Sequence, residues 1–181
     1  MDPLTALKDE HSSLLQELYS SDRQLGWLES SGPEKARRIL VRLLMHSEHL
    51  AGDLSLHFQK EEKALFPLLE KRMGENTEPV TVMKQEHQRL MKCVNAFVSE
   101  VSRMIKEHDT VKTWDLSSTL QDLRSELSDH VSREERVIFW LAEIHLSKGD
   151  RNKVSFELAH MSKPGEDSGL KSPAKATLNS L

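Results

Sequence analysis

Two stretches of this chain share one unusual pattern. Residues 56–70 read LHFQKEEKALFPLLE and residues 129–143 read DHVSREERVIFWLAE. Each holds His-x-x-x-Glu-Glu followed by a bulky apolar pair: His57, Glu61, Glu62, Leu65 and Phe66 in the first, His130, Glu134, Glu135, Ile138 and Phe139 in the second. On a helix, residues four apart share a face and lie about 6 Å apart along the axis. An imidazole nitrogen then sits next to two carboxylate oxygens. Two such pairs facing each other make a ready metal site, so the remaining chain reads as the scaffold that brings them together.

The apolar pattern describes that scaffold. Leu4, Leu7, His11, Leu14, Leu18, Leu25 and Leu28 repeat at steps of three and four, broken only around Ser21. That is the seam of an amphipathic helix, with His11 in a core position. Asp2 and Pro3 suit its N-cap and first turn. A second helix opens at Gly32-Pro33-Glu34, and its seam runs through Leu40, Leu43, Ser47, Leu50, Leu54, His57, Glu61, Ala64 and Leu68. Pro67 lacks an N–H and is expected to kink or end this helix around Leu65 and Phe66. After a turn at residues 74–79, a third helix has its seam at Val80, Met83, His87, Leu90, Val94, Phe97, Val101 and Met104. Residues 107–113 break the pattern and read as a loop. A fourth helix follows with Leu116, Leu120, Leu123, Leu127, His130, Glu134, Val137, Leu141 and Ile144, stopping near Gly149. Residues 150–161 read as one short amphipathic helix, and the polar, Pro/Gly/Ser-rich stretch from Ser162 as a flexible tail.

An internal repeat runs through these helices. Lys8-x-Glu10-His11-x-x-Leu14 matches Lys84-x-Glu86-His87-x-x-Leu90 at an offset of 76, and the two His-x-x-x-Glu-Glu motifs match at an offset of 73. The chain thus reads as two helical hairpins related by a pseudo-twofold axis. The fold class expected is all-α, an antiparallel up-down-up-down four-helix bundle over residues 1–148, with the short helix and tail in 149–181.

Composition narrows the function. With 25 basic and 29 acidic residues the net charge is −4, which does not suit a nucleic-acid footprint. No apolar run reaches the length of a membrane span, and the N-terminus has no signal-peptide pattern. The single Cys93 fits a reducing cytosol and reads as a small buried hydrophobe.

The polar seam residues carry the chemistry. All four long helices place a histidine in the core, and two of them add a glutamate. A buried carboxylate is costly without a counter-charge, and no Lys or Arg lies on any of the four seams. The depths of the residues along their helices put His11, His57, Glu61, His87, His130 and Glu134 in one layer. Four imidazoles and two carboxylates inside a bundle form a dinuclear site, because shared carboxylates hold two metals about 3.5–4 Å apart. Zinc favours closed tetrahedral sites, so this N/O set suits iron or manganese better. Glu10, Asp53, Glu86 and Glu126 adjoin the ligands and are candidates to orient the imidazoles. His46 and His49 flank the seam and read as surface or boundary residues, with His49 the alternative candidate to reach a metal or its access channel. His108, His145 and His160 read as solvated, and Tyr19 as a boundary aromatic.

The ordered set His…His-x-x-x-Glu…His…His-x-x-x-Glu over four helices resembles the hemerythrin-like (HHE cation-binding) domain, over about residues 3–148. The resemblance implies a non-haem diiron centre, with His11 and His57 on one iron and His87 and His130 on the other. Glu61 and Glu134 would bridge them, with an oxo or hydroxo group completing the bridge. Oxygen-carrying hemerythrins have a further His where this chain has Met91, and His-x-x-x-x-Asp where this chain has Glu134 and Glu135; Glu134, on the seam, is preferred as the bridge. The symmetric four-His, two-Glu set is closer to the iron–sulfur repair branch, whose cysteine pair has no counterpart beside Cys93. The functions implied are binding of O2 or NO for sensing, storage or detoxification, redox turnover of peroxide or NO with an external electron donor, or iron donation for iron–sulfur cluster repair.

Overall fold

The computed structural model describes residues 2–74, 77–107 and 113–161. Every regular element among them is helical: α1 (Pro3–Glu29), α2 (Pro33–Lys60), a π-helical turn (Glu61–Leu65), α3 (Phe66–Met73), α4 (Glu78–Glu107), α5 (Thr113–His145) and α6 (Lys148–His160). The expected tail from Ser162, His108 and most of the expected loop after Glu107 lie outside the described residues.

The starts follow local chemistry. Asp2 caps α1, its carboxylate accepting from the Thr5 N–H at 3.2 Å, and Pro3 fills the first turn, where no N–H is needed. Pro33 fills the first turn of α2 likewise, after Gly32, which offers no side-chain cap. Met73 ends α3 because Gly74 adopts φ 67°, a conformation that disfavours any residue with a Cβ.

The long helices close into a ring of neighbours: α1 packs on α2, α2 on α4, α4 on α5, and α5 back on α1. Their seams fill two apolar cores. The larger includes Leu18, Leu43, Phe97, Val101 and Leu120; the smaller includes Leu7, Phe66, Leu69, Val80, Phe139 and Val154. The polar layer lies between them. Ser21, where the α1 pattern weakens, is still buried, and its hydroxyl donates to the Glu17 carbonyl at 3.2 Å.

Three expectations need correction. The helix changes at Leu65 and Phe66, where Pro67 was expected to kink or end it, but the chain stays helical through the proline. The chain takes a π turn at Glu61–Leu65, in which the Phe66 N–H reaches back to the Glu61 carbonyl, and Pro67 falls in the first turn of α3, where its missing N–H costs nothing. The extra residue in that turn advances the buried face by one position, so Leu69 is fully buried and Leu68 only partly. In α5 the buried face after Glu134 is Ile138, Phe139 and Ala142, while Val137 and Ile144 are exposed. A strict heptad drifts about 20° per repeat on a real helix, and here that drift is resolved by a four-residue step.

The fourth long helix ends at His145, not near Gly149, because a new helix is capped there. The Ser147 hydroxyl accepts from the Asp150 N–H and the Asp150 carboxylate accepts from the Ser147 N–H, a capping box for α6. Arg72 of α3 holds the same Asp150 with two N–H donors, at 2.9 and 3.1 Å. Val154 of α6 is fully buried in the smaller core.

Candidate metal centre

The six predicted residues meet. His11 on α1, His57 on α2, His87 on α4, His130 on α5 and Glu61 and Glu134 are all at most 2% exposed. Ligand atoms from His11, His57, Glu61 and Glu134 lie within 4.8 Å of one another, and a second group joins Glu61 to His87 and His130. The rings pair as the repeat implies, with centroids 4.7 Å apart for His11 and His57 and 5.0 Å for His87 and His130.

The Nε2 atoms face the two glutamates. His57 Nε2 is 2.9 Å from Glu61 Oε1, and His87 Nε2 is 3.3 Å from Glu61 Oε2. His11 Nε2 is 3.2 Å and His130 Nε2 3.7 Å from Glu134 Oε2. None of these approaches has hydrogen-bond geometry. All four Nε2 atoms and all four oxygens of Glu61 and Glu134 are buried without a hydrogen-bond partner. Buried polar atoms are rarely left so, and eight of them converging on one layer match the donor set of a cation site.

The outer nitrogens show the opposite picture. Each Nδ1–H donates to a carboxylate on a neighbouring helix. His57 donates to Glu10 at 2.9 Å, His87 to Glu62 at 2.8 Å, His130 to Glu86 at 2.9 Å and His11 to Glu135 at 3.0 Å. An ionised carboxylate only accepts, so each Nδ1 keeps its proton and Nε2 is the nitrogen turned inward. From donor to acceptor the four bonds form a circuit: α1 to α5, α5 to α4, α4 to the π turn that follows α2, and α2 back to α1. Lys60 backs Glu10, and Arg133 backs Glu86 at 3.0 Å with Arg89 at 3.8 Å.

Glu10 and Glu86 are where the sequence placed candidate orienting acids; Asp53 and Glu126 are not, facing His49 and Cys93 instead. Glu62 and Glu135 were missed as orienting acids. The doubled glutamate in each motif was their signal: its first member faces inward and its second reaches the next helix. Aromatic walls were also missed as such. Phe66 and Phe139, twofold mates, stack on His87 and His11 with centroids 5.6 Å away, and Phe58 stacks on His87 at 3.9 Å. Met91 packs against the larger core. His46, His49, His145, His160 and Tyr19 are exposed.

The charges are strongly coupled. Burial opposes charge on His11 and His57, yet the facing carboxylates outweigh it and raise them to about 10 and about 9. His87 is also raised, by Glu61 against burial. His130 moves down to about 4, through burial reinforced by the charge on His87 against the pull of Glu86. Burial opposes ionisation of Glu61, but the imidazoles hold it well below the carboxylate range. Glu134 is pushed up by burial and then by Glu61 beside it.

The profile of the hemerythrin HHE cation binding domain matches residues 2–142. The chain belongs to the hemerythrin HHE family. It is 26% identical over 133 residues to proteins named iron-sulfur cluster repair protein YtfE from Escherichia coli O139:H28 and from Shigella boydii serotype 18. The match covers 72% of this chain and 59% of each relative, so this hemerythrin-family chain spans about three-fifths of the length of those relatives. Among the described residues no helix is long and apolar enough to cross a membrane.

Proposed function

We propose that this hemerythrin-family centre holds two iron ions and binds O2 or NO, for sensing, storage or detoxification. His11 and His57 would ligate one iron and His87 and His130 the other, with Glu61 and Glu134 shared between them. The observation that carries the reading is the set of eight buried, partnerless nitrogen and oxygen atoms converging between the two apolar cores. Two imidazoles and two shared carboxylates per ion leave positions free on a six-coordinate metal. Iron bound there would supply reversible electron transfer and small-ligand binding at those positions.

The chain's own residues prepare the site. Phe58, Phe66 and Phe139 pack on the imidazoles and keep water out. Glu10, Glu62, Glu86 and Glu135 hold the four rings so that each Nε2 faces inward. We take the four long helices to run up-down-up-down as an antiparallel bundle, in a cytoplasmic protein served by an external electron donor.

The relatives' printed name favours a second reading, in which the same centre supplies iron to damaged iron–sulfur clusters. Both readings are tested by metal analysis with an optical spectrum of the reduced protein before and after air or NO. About two irons per chain and a new charge-transfer band that reverses on degassing support ligand binding. A band that persists, with turnover when a donor is added, turns the reading toward redox enzymology. Loss of iron to an apo-cluster protein supports the repair reading. Zinc alone, or no metal in a folded chain, refutes all three.

A further inference from the structure

One more cluster on this molecule has metal-binding chemistry. Glu17 on α1 and His49 and Asp53 on α2 each offer a ligand atom within 4.8 Å of the others. His49 Nδ1 is 3.5 Å from Glu17 Oε1 and 3.3 Å from Asp53 Oδ2. His49 and Asp53 stand four apart on one helix, the spacing of His57 and Glu61, and the third group comes from the adjoining helix. The His49 ring is 58% exposed, so a hydrated cation can reach it. Glu17 Oε2, by contrast, is shielded from solvent and has no hydrogen-bond donor. One imidazole and two carboxylates suit ferrous or manganous ion.

The cluster stands at the head of a path. Glu17 and Asp53 line a cavity of about 160 Å³ between α1 and α2, and Glu10, His57 and Lys60 line it too. The cavity therefore joins the surface cluster to an imidazole of the buried centre.

The internal repeat supplies a comparison. The offsets of 76 and 73 carry Glu10, Glu17, Asp53, His57 and Lys60 onto Glu86, Cys93, Glu126, His130 and Arg133, and His49 onto Asp122. A second cavity, also about 160 Å³, is lined by Glu86, Arg89, Glu126, His130 and Arg133. It has two guanidinium groups where the first has one ammonium, and Arg133 sits 3.0 Å from Glu86. The Cys93 thiol there donates to Glu126 at 3.5 Å. The two halves agree at the centre and differ at the mouths, and only the α1–α2 mouth carries the imidazole–carboxylate set.

We propose that Glu17, His49 and Asp53 form a peripheral divalent-cation site that loads the α1–α2 cavity, holding a ferrous or manganous ion on its way to the His11–His57 side of the centre. The loading role rests on the metal-centre reading above; the peripheral site does not.

The test uses the full chain with its buried centre filled, and Mn2+ as the probe, counted by loss of the free-ion EPR signal. The expected result is one further Mn2+ per chain. Binding should weaken at least ten-fold in the His49→Ala, Asp53→Asn double variant, with unchanged circular dichroism. His46→Ala, an exposed histidine on the same helix, should bind as the parent does. Equal Mn2+ affinity in the parent and the double variant overturns the site. The loading role is read on metal-free chain given limiting Fe2+: the double variant should fill the centre several-fold more slowly, to the same final content. Equal filling rates overturn that role. If the buried centre takes up no metal in either form, the metal-centre reading fails, and the Mn2+ count still decides the peripheral site.

Discussion

Removing Glu86 should weaken metal binding far more than removing Glu62, although both accept from a histidine Nδ1–H. The His130–Glu86 bond is 2.9 Å and buried, and the Glu86 side chain is only 6% exposed. The Glu62 side chain is 40% exposed. With metal on Nε2, the His130 proton must stay on Nδ1. In Glu86→Ala it then points toward Arg89 and Arg133, whose guanidinium groups donate and cannot accept, and a buried donor without an acceptor costs about 1–3 kcal/mol. The metal-free protein escapes that cost. Its His130, held down to about 4, is neutral near pH 7 and can move the proton to Nε2, which faces Glu134 at 3.7 Å. The penalty therefore falls on the loaded state. A value of about 2 kcal/mol means roughly thirty-fold weaker binding, within the range of about 10–100-fold usual for such partners. In Glu62→Ala water can take the carboxylate's place on His87, and the loss should stay below about five-fold, or ~1 kcal/mol. Glu86→Gln keeps an acceptor oxygen and should recover most of the affinity. The assay is competition with a chromogenic chelator at pH 7. Equal losses for Glu86→Ala and Glu62→Ala, or no loss for Glu86→Ala, would refute the reasoning.

Three further outcomes are expected. Metal affinity should fall as pH drops below about 10, and more steeply below about 9, because His11 and His57 are raised to about 10 and about 9 in the metal-free protein and must shed protons to bind; calorimetry at pH 7 in buffers of different ionisation enthalpy should find at least two protons released per filled centre. Gly74→Ala should destabilise the chain by about 1–2 kcal/mol in urea unfolding through backbone strain alone, since φ is 67° and a Cβ there would touch nothing within 4 Å. The Asp150 carboxyl is held below its usual range by the Arg72 guanidinium and the Ser147 hydroxyl, so its contribution to docking α6 is complete above about pH 4 and fades only as pH falls well below that; amide exchange in α6 should show this, and Arg72→Ala should move the loss to higher pH.

Much of the centre was legible because its residues break a rule that the rest of the seams obey. A carboxylate on an apolar stripe, twice, with a histidine one turn before it, admits few explanations, and the structure groups all six residues in one layer. The repeat was the better guide where two patterns competed. It marked Leu65, Phe66, Ile138 and Phe139 as equivalent apolar pairs, and all four are buried. The heptad count favoured Leu68, Val137 and Ile144, and failed because a π turn in one half and a four-residue step in the other shift the buried face. No local signal announces a π turn except Pro67, whose rigidity reads equally well as a helix end. Glu62 and Glu135 were not read as orienting acids because they face partly outward along their own helices, and their partners lie on others. The Arg72–Asp150 pair joins residues 78 positions apart, which periodicity does not register.

The circuit of Nδ1 bonds is not uniform around its length. Glu10 to His57 and Glu86 to His130 each stay within one half of the repeat, and both are backed by a cation. Glu62 to His87 and Glu135 to His11 cross from one half to the other, and both crossing acids are partly open to water with no cation on them in these contacts. The molecule is therefore held like a homodimer whose subunits have been spliced together at Gly74, with the circuit's bonds backed by a cation inside each half and not between them. A metal held by Glu61 from one half and Glu134 from the other would be the dry connection across that divide. Stripping it would leave the halves joined by apolar contact, the two crossing Nδ1 bonds and peripheral ion pairs such as Lys84–Glu70, Arg124–Asp22 and Arg72–Asp150, and the inner part of that divide is where the empty protein should first loosen.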